Sequence, residues 1–279
     1  MGIDFDNIIN SLKEIKNMGG NFCQFFITKH LHKNVSKISD DQFNSIKKYL
    51  LKNNMKLVIH SSYMLNFANE FNLPPKKISW WINNLINEMK YASKMGAIGC
   101  IIHLGKHKEL KPERGILNMY KSLKYVINNT PFDIKLIIET SCGQGTELCY
   151  KIPDLIYFYN LFSSKEKQKI GFCIDTCHIF AAGYKINTKV GIFNFFKEIK
   201  QILDKVVLFH LNDSKNKVES HLDRHEILGK GFIGLDNLKI IIRKCYELDI
   251  PLILETPSTD YTYEINIIKK FLYSNSNHP

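Results

Sequence analysis

The chain has 279 residues, of which 44% are hydrophobic and 23% are charged, so it has the composition of a globular protein with a large core. Its apolar runs are shorter than the roughly 18 residues of a membrane span, and its first residues lack the basic flank and apolar core of a secretory signal. The net charge of +11 favours a polyanionic partner such as nucleic acid. The alternative is coding bias, because a chain this rich in Lys, Asn and Ile is typical of an AT-rich gene, and many of its lysines are then simply solvated.

Apolar runs alternate with stretches of helical period along the chain. Helices are predicted at residues 6–18, 40–53, 78–95, 113–128, 153–168, near 190–204, near 235–247 and near 262–273, and Gly96 is the predicted stop of the long third helix. Strands are predicted at residues 21–27, 56–60, 98–103, 134–139, 170–175, 206–211 and 251–255. Continuous apolar strands that alternate with helices predict a parallel sheet covered by helices, and the lack of a linker rich in Pro, Gly or Ser predicts one domain over residues 1–279.

The number of strands favours a barrel that is nearly complete. Eight β/α units would close a (β/α)8 TIM barrel, an α/β fold whose active site lies at the carboxyl ends of its strands. Residues Met1–Phe5 leave room for no more than a stub of strand before the first helix. We therefore predict a TIM barrel with a truncated or missing first strand, and a start codon further upstream is the alternative. A doubly wound open sheet fits less well, because its ligands gather at one switch point.

Six of the predicted strands end in a side chain that can bind a metal. These residues are His60, His103, Glu139, Asp175, His210 and Glu255. An imidazole or carboxylate after an apolar run is costly to bury unless something pairs it. Because parallel strands deliver their carboxyl ends to the same side of a sheet, we expect these six side chains to meet at one site.

Three more potential ligands follow two of these strands. His178 comes three residues after Asp175, whereas Asp223 and His225 lie two residues apart, so that in an extended chain they point the same way. Imidazole and carboxylate ligands suit Zn²⁺ or Mn²⁺ at a catalytic site, where about three protein ligands per ion are usual. Nine ligands therefore predict three clustered ions, and for any single histidine among them a hydrogen-bonded structural role is the alternative.

The seven cysteines are odd in number and scattered, which predicts free thiols in a reducing intracellular compartment, either cytoplasm or nucleus. Cys173 and Cys177 have the spacing of a CxxxC metal clip, but Cys173 lies within an apolar run, so a core position is the favoured interpretation. The coding bias and the short N-terminus leave a viral origin open.

Three stretches of the chain resemble the motifs of endonuclease IV, the tri-zinc apurinic/apyrimidinic endonucleases among the xylose-isomerase-like barrels. They are IETSCGQGTEL (138–148), CIDTCHIFAAGY (173–184) and HLNDSKNKVESHLDRHEILGKG (210–231), of which the last is highly specific. The shorter segments HSSY (60–63), HLGKH (103–107) and LETP (254–257) agree in order and spacing. The similarity extends from about residue 20 to residue 257.

The resemblance implies a ligand set and an activity. The three zinc ions would be held by His60, His103 and Glu139; by Glu139, Asp175, His210 and Glu255; and by His178, Asp223 and His225, with Mn²⁺ as an option at one site. The implied enzyme is a monomer without membrane contacts that hydrolyses the phosphodiester 5′ to an abasic site in double-stranded DNA during base-excision repair. It would leave a 3′-hydroxyl and a 5′-deoxyribose phosphate, and 3′ end cleaning is an open second activity. Glu139 would be the catalytic residue, as a bridging ligand rather than a base.

The resemblance also implies which side chains contact DNA. Tyr63 and Met64 occupy the positions after the first His ligand, where the family inserts side chains into the base stack, and core packing is the alternative for Met64. The Arg that the family uses as its other wedge has no counterpart here, and the segment 28–34 offers Lys29, His30 and His32 instead. Lys215 is a further candidate for a phosphate contact, with an ordinary loop position as the alternative.

Two other functions remain open on the sequence alone. One is a xylose-isomerase-like sugar isomerase or epimerase that uses one or two divalent ions and has no need of a third ligand group. The other is a non-catalytic DNA-binding scaffold. The loss of a bridging ligand would have favoured the scaffold, but every ligand type of the family is present.

Overall fold

The computed structural model describes residues 8–28 and 38–274. Within these residues, seven parallel strands form one sheet in chain order: β1 (Phe22–Phe26), β2 (Lys56–His60), β3 (Gly99–Ile102), β4 (Lys135–Glu139), β5 (Ile170–Asp175), β6 (Val206–His210) and β9 (Leu252–Ile253). A separate two-stranded hairpin is made of β7 (Asp213–Ser214) and β8 (His225–Glu226). The sheet curls until β1 and β9 approach each other, so the predicted α/β TIM barrel is confirmed, with seven of its strands among the described residues.

Helices connect the strands and cover the barrel. They are α1 (Ile8–Asn17), α2 (Asp40–Lys52), α3 (Trp80–Met95), α4 (Pro112–Asn128), α5 (Ile152–Asn160), α6 (Ser164–Lys167), α7 (Thr176–Ala181), α8 (Lys189–Glu198), α9 (Leu235–Glu247) and α10 (Thr262–Ser274). None of them, within the described ranges, is both long and apolar enough to cross a lipid bilayer.

Most predicted helices have the expected bounds, but two are divided. The helix predicted at 153–168 breaks because Ser163 begins a new helix: its hydroxyl accepts the backbone N–H of Glu166, whose carboxylate accepts the N–H of Ser163. The helix predicted near 190–204 ends at Glu198 and is followed by two 3-10 turns. The predicted stop of the long helix at Gly96 is confirmed, since this residue has a φ of 74° that favours glycine.

A groove lies between β1 and β9, at the position where an eighth strand would close the barrel. No ladder joins these two strands in the part of the chain that the structure describes, and a groove of about 790 Å³ separates them. Residues from α1 and α10 line its sides, and Gln24 and Glu255 lie in its wall. The predicted strand stub, Met1–Phe5, lies outside the described residues.

A layer of apolar side chains fills the interior of the barrel, one from each of six strands. These residues are Val58, Ile101, Ile137, Cys173, Leu208 and Ile253. Each of them precedes one of the six strand-end ligands by two residues, and side chains two positions apart on a strand face the same side. The six ligands therefore point into the barrel, directly above the apolar layer. Cys173 belongs to that layer, in agreement with the core interpretation.

Replacement of Leu208 by Ala tests the contribution of this layer. Leu208 is fully buried inside the barrel, so the cavity left by Ala should lower the free energy of unfolding by about 2–5 kcal/mol. Urea-induced unfolding followed by circular dichroism measures the change. Leu117→Ala on the exposed face of α4 is the control and should alter stability by less than about 0.5 kcal/mol. Equal effects of the two substitutions would contradict a packed interior.

Candidate metal centre

Strand geometry brings six of the predicted ligands to the carboxyl end of the barrel. They are His60, His103, Glu139, Asp175, His210 and Glu255, at or just after the ends of β2, β3, β4, β5, β6 and β9. Most of these side chains are buried, but those of His103 and Glu255 keep 23% and 16% of their surface exposed. The centre is therefore enclosed by the barrel below and open to a substrate from above.

His178 reaches the same place on the short helix α7, which the sequence analysis did not predict. Asp175 is the N-cap of this helix, because its Oδ1 accepts the backbone N–H of His178 at 2.9 Å. One carboxylate thus starts the helix with one oxygen and faces the centre with the other. The spacing of three residues between Asp175 and His178 follows from this cap.

The hairpin of β7 and β8 carries the last two ligands. Asp223 lies just before β8, and its Oδ1 is 3.2 Å from Nε2 of His225. The base of the hairpin is fixed by Asp213, which is fully buried and accepts the backbone N–H groups of Gly229 and Gly231. The expectation that Asp223 and His225 point the same way agrees with this geometry.

The described residues contain five overlapping groups that could hold a metal, two of which include a buried cysteine, Cys173 or Cys177. The other three consist of the nine predicted ligands: His60, His103 and Glu139; Glu139, Asp175, His210 and Glu255; and His178, Asp223 and His225. Within each group the atoms able to bind a metal lie within 4.8 Å of one another. The latter three groups are the same as those that the family resemblance implies, and their binding of metal stays a prediction.

Glu139 joins the first two groups. Its Oε2 lies 3.1 Å from Nε2 of His60 and 3.0 Å from Nε2 of His103. Its Oε1 lies 2.8 Å from Nδ1 of His210. With one oxygen directed to each group, this carboxylate has the geometry of a bridging ligand.

The third group contains unsatisfied ring nitrogens. Nε2 of His178 and Nε2 of His225 are buried, and each lies 3.2 Å from an oxygen of Asp223 without forming a well-aligned hydrogen bond within the described residues. An unpartnered polar atom in a buried place is costly unless an ion or water completes it. Two imidazoles and a carboxylate that converge in this way fit a divalent cation such as Zn²⁺.

Backbone carbonyls determine which nitrogen of three imidazoles faces the centre. The Nδ1–H groups of His60, His178 and His225 donate to the carbonyls of Ser61, Thr140 and Glu255 at 2.8, 2.8 and 3.1 Å. A proton held on Nδ1 leaves the lone pair on Nε2, the nitrogen that is directed at the carboxylates. Metal-binding histidines are usually oriented by such an outer hydrogen bond, so this pattern supports the fit.

The charges of the centre shift the pKa values of its members in opposite directions. Burial alone would lower the pKa of His225, but the carboxylates of Asp175 and Asp223 outweigh it and raise the pKa to about 9. Burial alone would raise the pKa of Glu255, but the neighbouring His210 lowers it to about 2. Glu255 therefore remains ionised near neutral pH, and a cation bound at Nε2 of His225 would replace the proton that this ring otherwise holds.

Two residues of the centre were missed by the sequence analysis. Gln24 on β1 accepts the Nε2–H of His210 at 2.8 Å and donates to Oε1 of Glu255 at 2.6 Å. Asn212 donates to Oδ2 of Asp175 at 2.6 Å and accepts the backbone N–H of Glu255 at 2.9 Å. Gln24 faces inward like the ligands of the other strands, so the period of two along β1 was the available signal.

The structure describes three of the four predicted DNA-contact residues. Tyr63 is 53% exposed, and its ring packs 5.2 Å from that of His60, between centroids. Met64 is 38% exposed on the same loop, so it is not a core residue. Lys215 is exposed beside the hairpin, whereas Lys29 lies outside the described residues.

Known proteins that are similar to this chain agree with the family that its sequence motifs resemble. A family model described as a xylose isomerase-like TIM barrel matches residues 12–271. A protein of Acanthamoeba polyphaga mimivirus named as an endonuclease 4 is 33% identical over 276 residues, which cover 92% of this chain and 87% of that protein. The crystal structure of endonuclease IV from Thermus thermophilus has a TM-score of 0.79 and 22% identity, covering 95% of this chain and 94% of that one. A D-tagatose 3-epimerase-like protein has a TM-score of 0.73 and 16% identity, covering 98% and 96%, so similarity of structure shows the fold alone.

Replacement of Gln24 by Leu tests whether this side chain supports the second ligand group. Loss of its hydrogen bonds to His210 and Glu255 should weaken the binding of Zn²⁺ by about 10–100-fold, as is typical of outer partners of metal ligands. Competition with a chromogenic zinc chelator measures the affinity. Gln201→Leu, an exposed position before β6, is the control. Equal affinities for both variants would show that Gln24 is dispensable.

Proposed function

Because the chain belongs to the endonuclease IV family of xylose isomerase-like TIM barrels, we propose that it is a metal-dependent hydrolase that cuts double-stranded DNA 5′ to abasic sites. The products would be a 3′-hydroxyl and a 5′-deoxyribose phosphate, as base-excision repair requires, with 3′ end cleaning as a second activity. The observation that carries the proposal is the convergence of all nine potential ligands in three groups at one end of the barrel.

We assign one Zn²⁺ ion to each group, with Mn²⁺ as an option at one of them. The donor set supports zinc, because imidazole and carboxylate ligands are those of catalytic zinc sites. When bound, the clustered ions would lower the pKa of a water molecule and neutralise charge on the phosphate. The unsatisfied Nε2 atoms of His178 and His225 support an ion in the third group.

The chain itself contributes the fixed positions of these ligands. Glu139 is proposed as the catalytic residue in the role of a bridging ligand rather than a general base, because each of its oxygens already lies within 3.1 Å of an imidazole nitrogen. Burial would raise the pKa of Glu139, but His210 and His103 hold it well below its usual value. Such a carboxylate is a poor proton acceptor near neutral pH, in agreement with the ligand role.

A sugar isomerase or epimerase with the same fold is the alternative. The epimerase-like structure supports it only at the level of the fold. The group of His178, Asp223 and His225 argues against it, because an enzyme with one or two ions leaves these three residues without a use. A content of three zinc ions per chain would favour the nuclease, and one or two would favour the isomerase.

Recognition of DNA would use the positive charge of the chain and the loop after β2. An abasic site offers no base edge, so an enzyme must detect the deformable backbone and the empty space in the stack. Tyr63 and Met64 are exposed next to the first ligand group and are the proposed contacts with that space. Lys215, and Lys29 outside the described residues, are proposed phosphate contacts.

We further propose that the protein acts as a monomer in the cytoplasm or nucleus. The seven cysteines are all free and buried, which supports a reducing compartment. The similarity to a mimivirus protein is compatible with a virus-encoded enzyme.

Incubation with a duplex that carries one tetrahydrofuran abasic analogue tests the function. We expect cutting 5′ to the analogue that a strong zinc chelator prevents and added Zn²⁺ restores. Glu139→Gln and His225→Ala should each lower kcat/KM by at least about 100-fold, since even outer partners of a metal often change activity 10–100-fold. Glu247→Gln, an exposed carboxylate on α9, is the control and should retain full activity. Wild-type cutting by Glu139→Gln would refute the bridging role, and three bound zinc ions without cutting would refute the nuclease.

Met64→Ala tests the proposed contact with the base stack. Removal of a wedge should weaken binding to the abasic duplex by about 1 kcal/mol or more, as for other buried interface side chains, and leave binding to an intact duplex nearly unchanged. Fluorescence anisotropy with both duplexes measures the difference. Leu117→Ala, also 38% exposed but on α4, is the matched control. An equal loss for both duplexes would show that Met64 supports general DNA binding instead.

A further inference from the structure

Glu88 is a fully buried carboxylate that lies outside the nine potential ligands. It projects from α3 toward the carboxyl end of the barrel and is 0% exposed. Its Oε1 accepts the hydroxyl of Thr28 at 2.5 Å, and its Oε2 accepts the hydroxyl of Ser61 at 2.7 Å. One side chain thus connects the segment after β1 to the segment after β2.

Further donors complete the surroundings of this carboxylate. The backbone N–H of Ser62 and the side chain of Asn84 also donate to Glu88. Burial raises the pKa of Glu88 to about 7, and these hydrogen bonds oppose the rise. Burial of an ionisable group is weak evidence for a stabilising role, because apolar residues of similar volume often replace buried ion pairs without loss of stability. A role in fixing the geometry of the segments it joins is the better explanation.

The segment after β2 that Glu88 holds carries two of the proposed DNA contacts. Ser61 and Ser62 directly follow the predicted ligand His60 and directly precede Tyr63 and Met64. Thr28, on the other side of Glu88, lies two residues after the end of β1. None of the hydrogen bonds described for Glu88 involves one of the nine ligands.

We infer that Glu88 is a positioning residue for substrate recognition: it ties the segment after β2 to Thr28 at the end of β1, in the arrangement that distinguishes an abasic duplex from an intact one. This inference rests on the proposed nuclease function. Glu88 acts through Thr28, Ser61 and Ser62, so its loss should change the preference for abasic DNA more than the metal content. The chemistry of the reaction, which the ligands carry, should change less than recognition.

Glu88→Gln is the test, with Glu166→Gln as the matched control. Like Glu88, Glu166 is buried and accepts the hydroxyl of a serine, Ser163, at 2.8 Å. Unlike Glu88, it lies on α6 just before β5, at the opposite end of the barrel. Binding is measured by anisotropy with a tetrahydrofuran duplex whose 5′ phosphorothioate linkage slows cutting, and with an intact duplex. Zinc content and the melting temperature are measured on the same samples.

The preference is the dissociation constant for the intact duplex divided by that for the abasic duplex. For Glu88→Gln we expect this ratio to fall by about tenfold, equivalent to about 1.4 kcal/mol. KM for cutting should rise by a larger factor than kcat falls. The zinc content should equal that of the wild type. Glu166→Gln should lower the melting temperature and leave the ratio unchanged. A wild-type ratio in Glu88→Gln, or an equal fall in both variants, would overturn the inference.

Two variants that each remove one connection keep the test valid if Glu88→Gln does not fold. Thr28→Val and Ser61→Ala should each lower the ratio by part of the loss expected for Glu88→Gln. Wild-type ratios in both would overturn the inference. If the wild type itself shows no preference for the abasic duplex, the proposed function fails, whereas preference in the wild type that persists in every variant refutes only the role of Glu88.

Discussion

The convergence of carboxylates on a few imidazoles is the interaction on which the rest of the site depends. Nδ1 of His210 lies 2.8 Å from Glu139, 2.9 Å from Glu255 and 3.7 Å from Asp175, inside a barrel that excludes water from below. So much negative charge is tolerated in a buried place only with cations between the carboxylates. The barrel supplies imidazoles, and the outer hydrogen bonds of these rings direct a free nitrogen to the place where a cation would lie.

The barrel makes this concentration of charge possible by separating it from the core. Below each inward-facing ligand, two residues earlier on the same strand, lies an apolar residue such as Ile137 or Leu208. The strand period of two thus stacks a polar layer on an apolar one. The apolar layer stabilises the fold without polar atoms, and the polar layer is open on its upper side. A shift of register by one residue would reverse both layers, so stability and function fix the same register.

The sequence predicts local features of this protein better than long-range ones. The strands, the inward-facing side chains and the helix stop at Gly96 each depend on residues close together in the chain. The family motifs divide the nine predicted ligands into the same three groups as the structure. Gln24 is joined to Glu255 across 231 positions, and no local pattern reveals such a pair. The same holds for Glu88, whose partner Thr28 lies 60 positions away. The break at Ser163 was a local signal, a capping box, that the helical period obscured.

Three fully buried carboxylates outside the predicted ligand set, Glu88, Asp213 and Glu264, each accept hydrogen bonds from loops near the centre. Asp213 holds the glycine-rich turn after β8, and Glu88 joins the segments after β1 and β2. Glu264 on α10, also fully buried, accepts the hydroxyl of Thr256 and the backbone N–H of Leu228. Because a carboxylate accepts several hydrogen bonds at once, each of these residues ties separate chain segments together. The ligands determine the charge of the centre, and these carboxylates determine the shape of the surface around it.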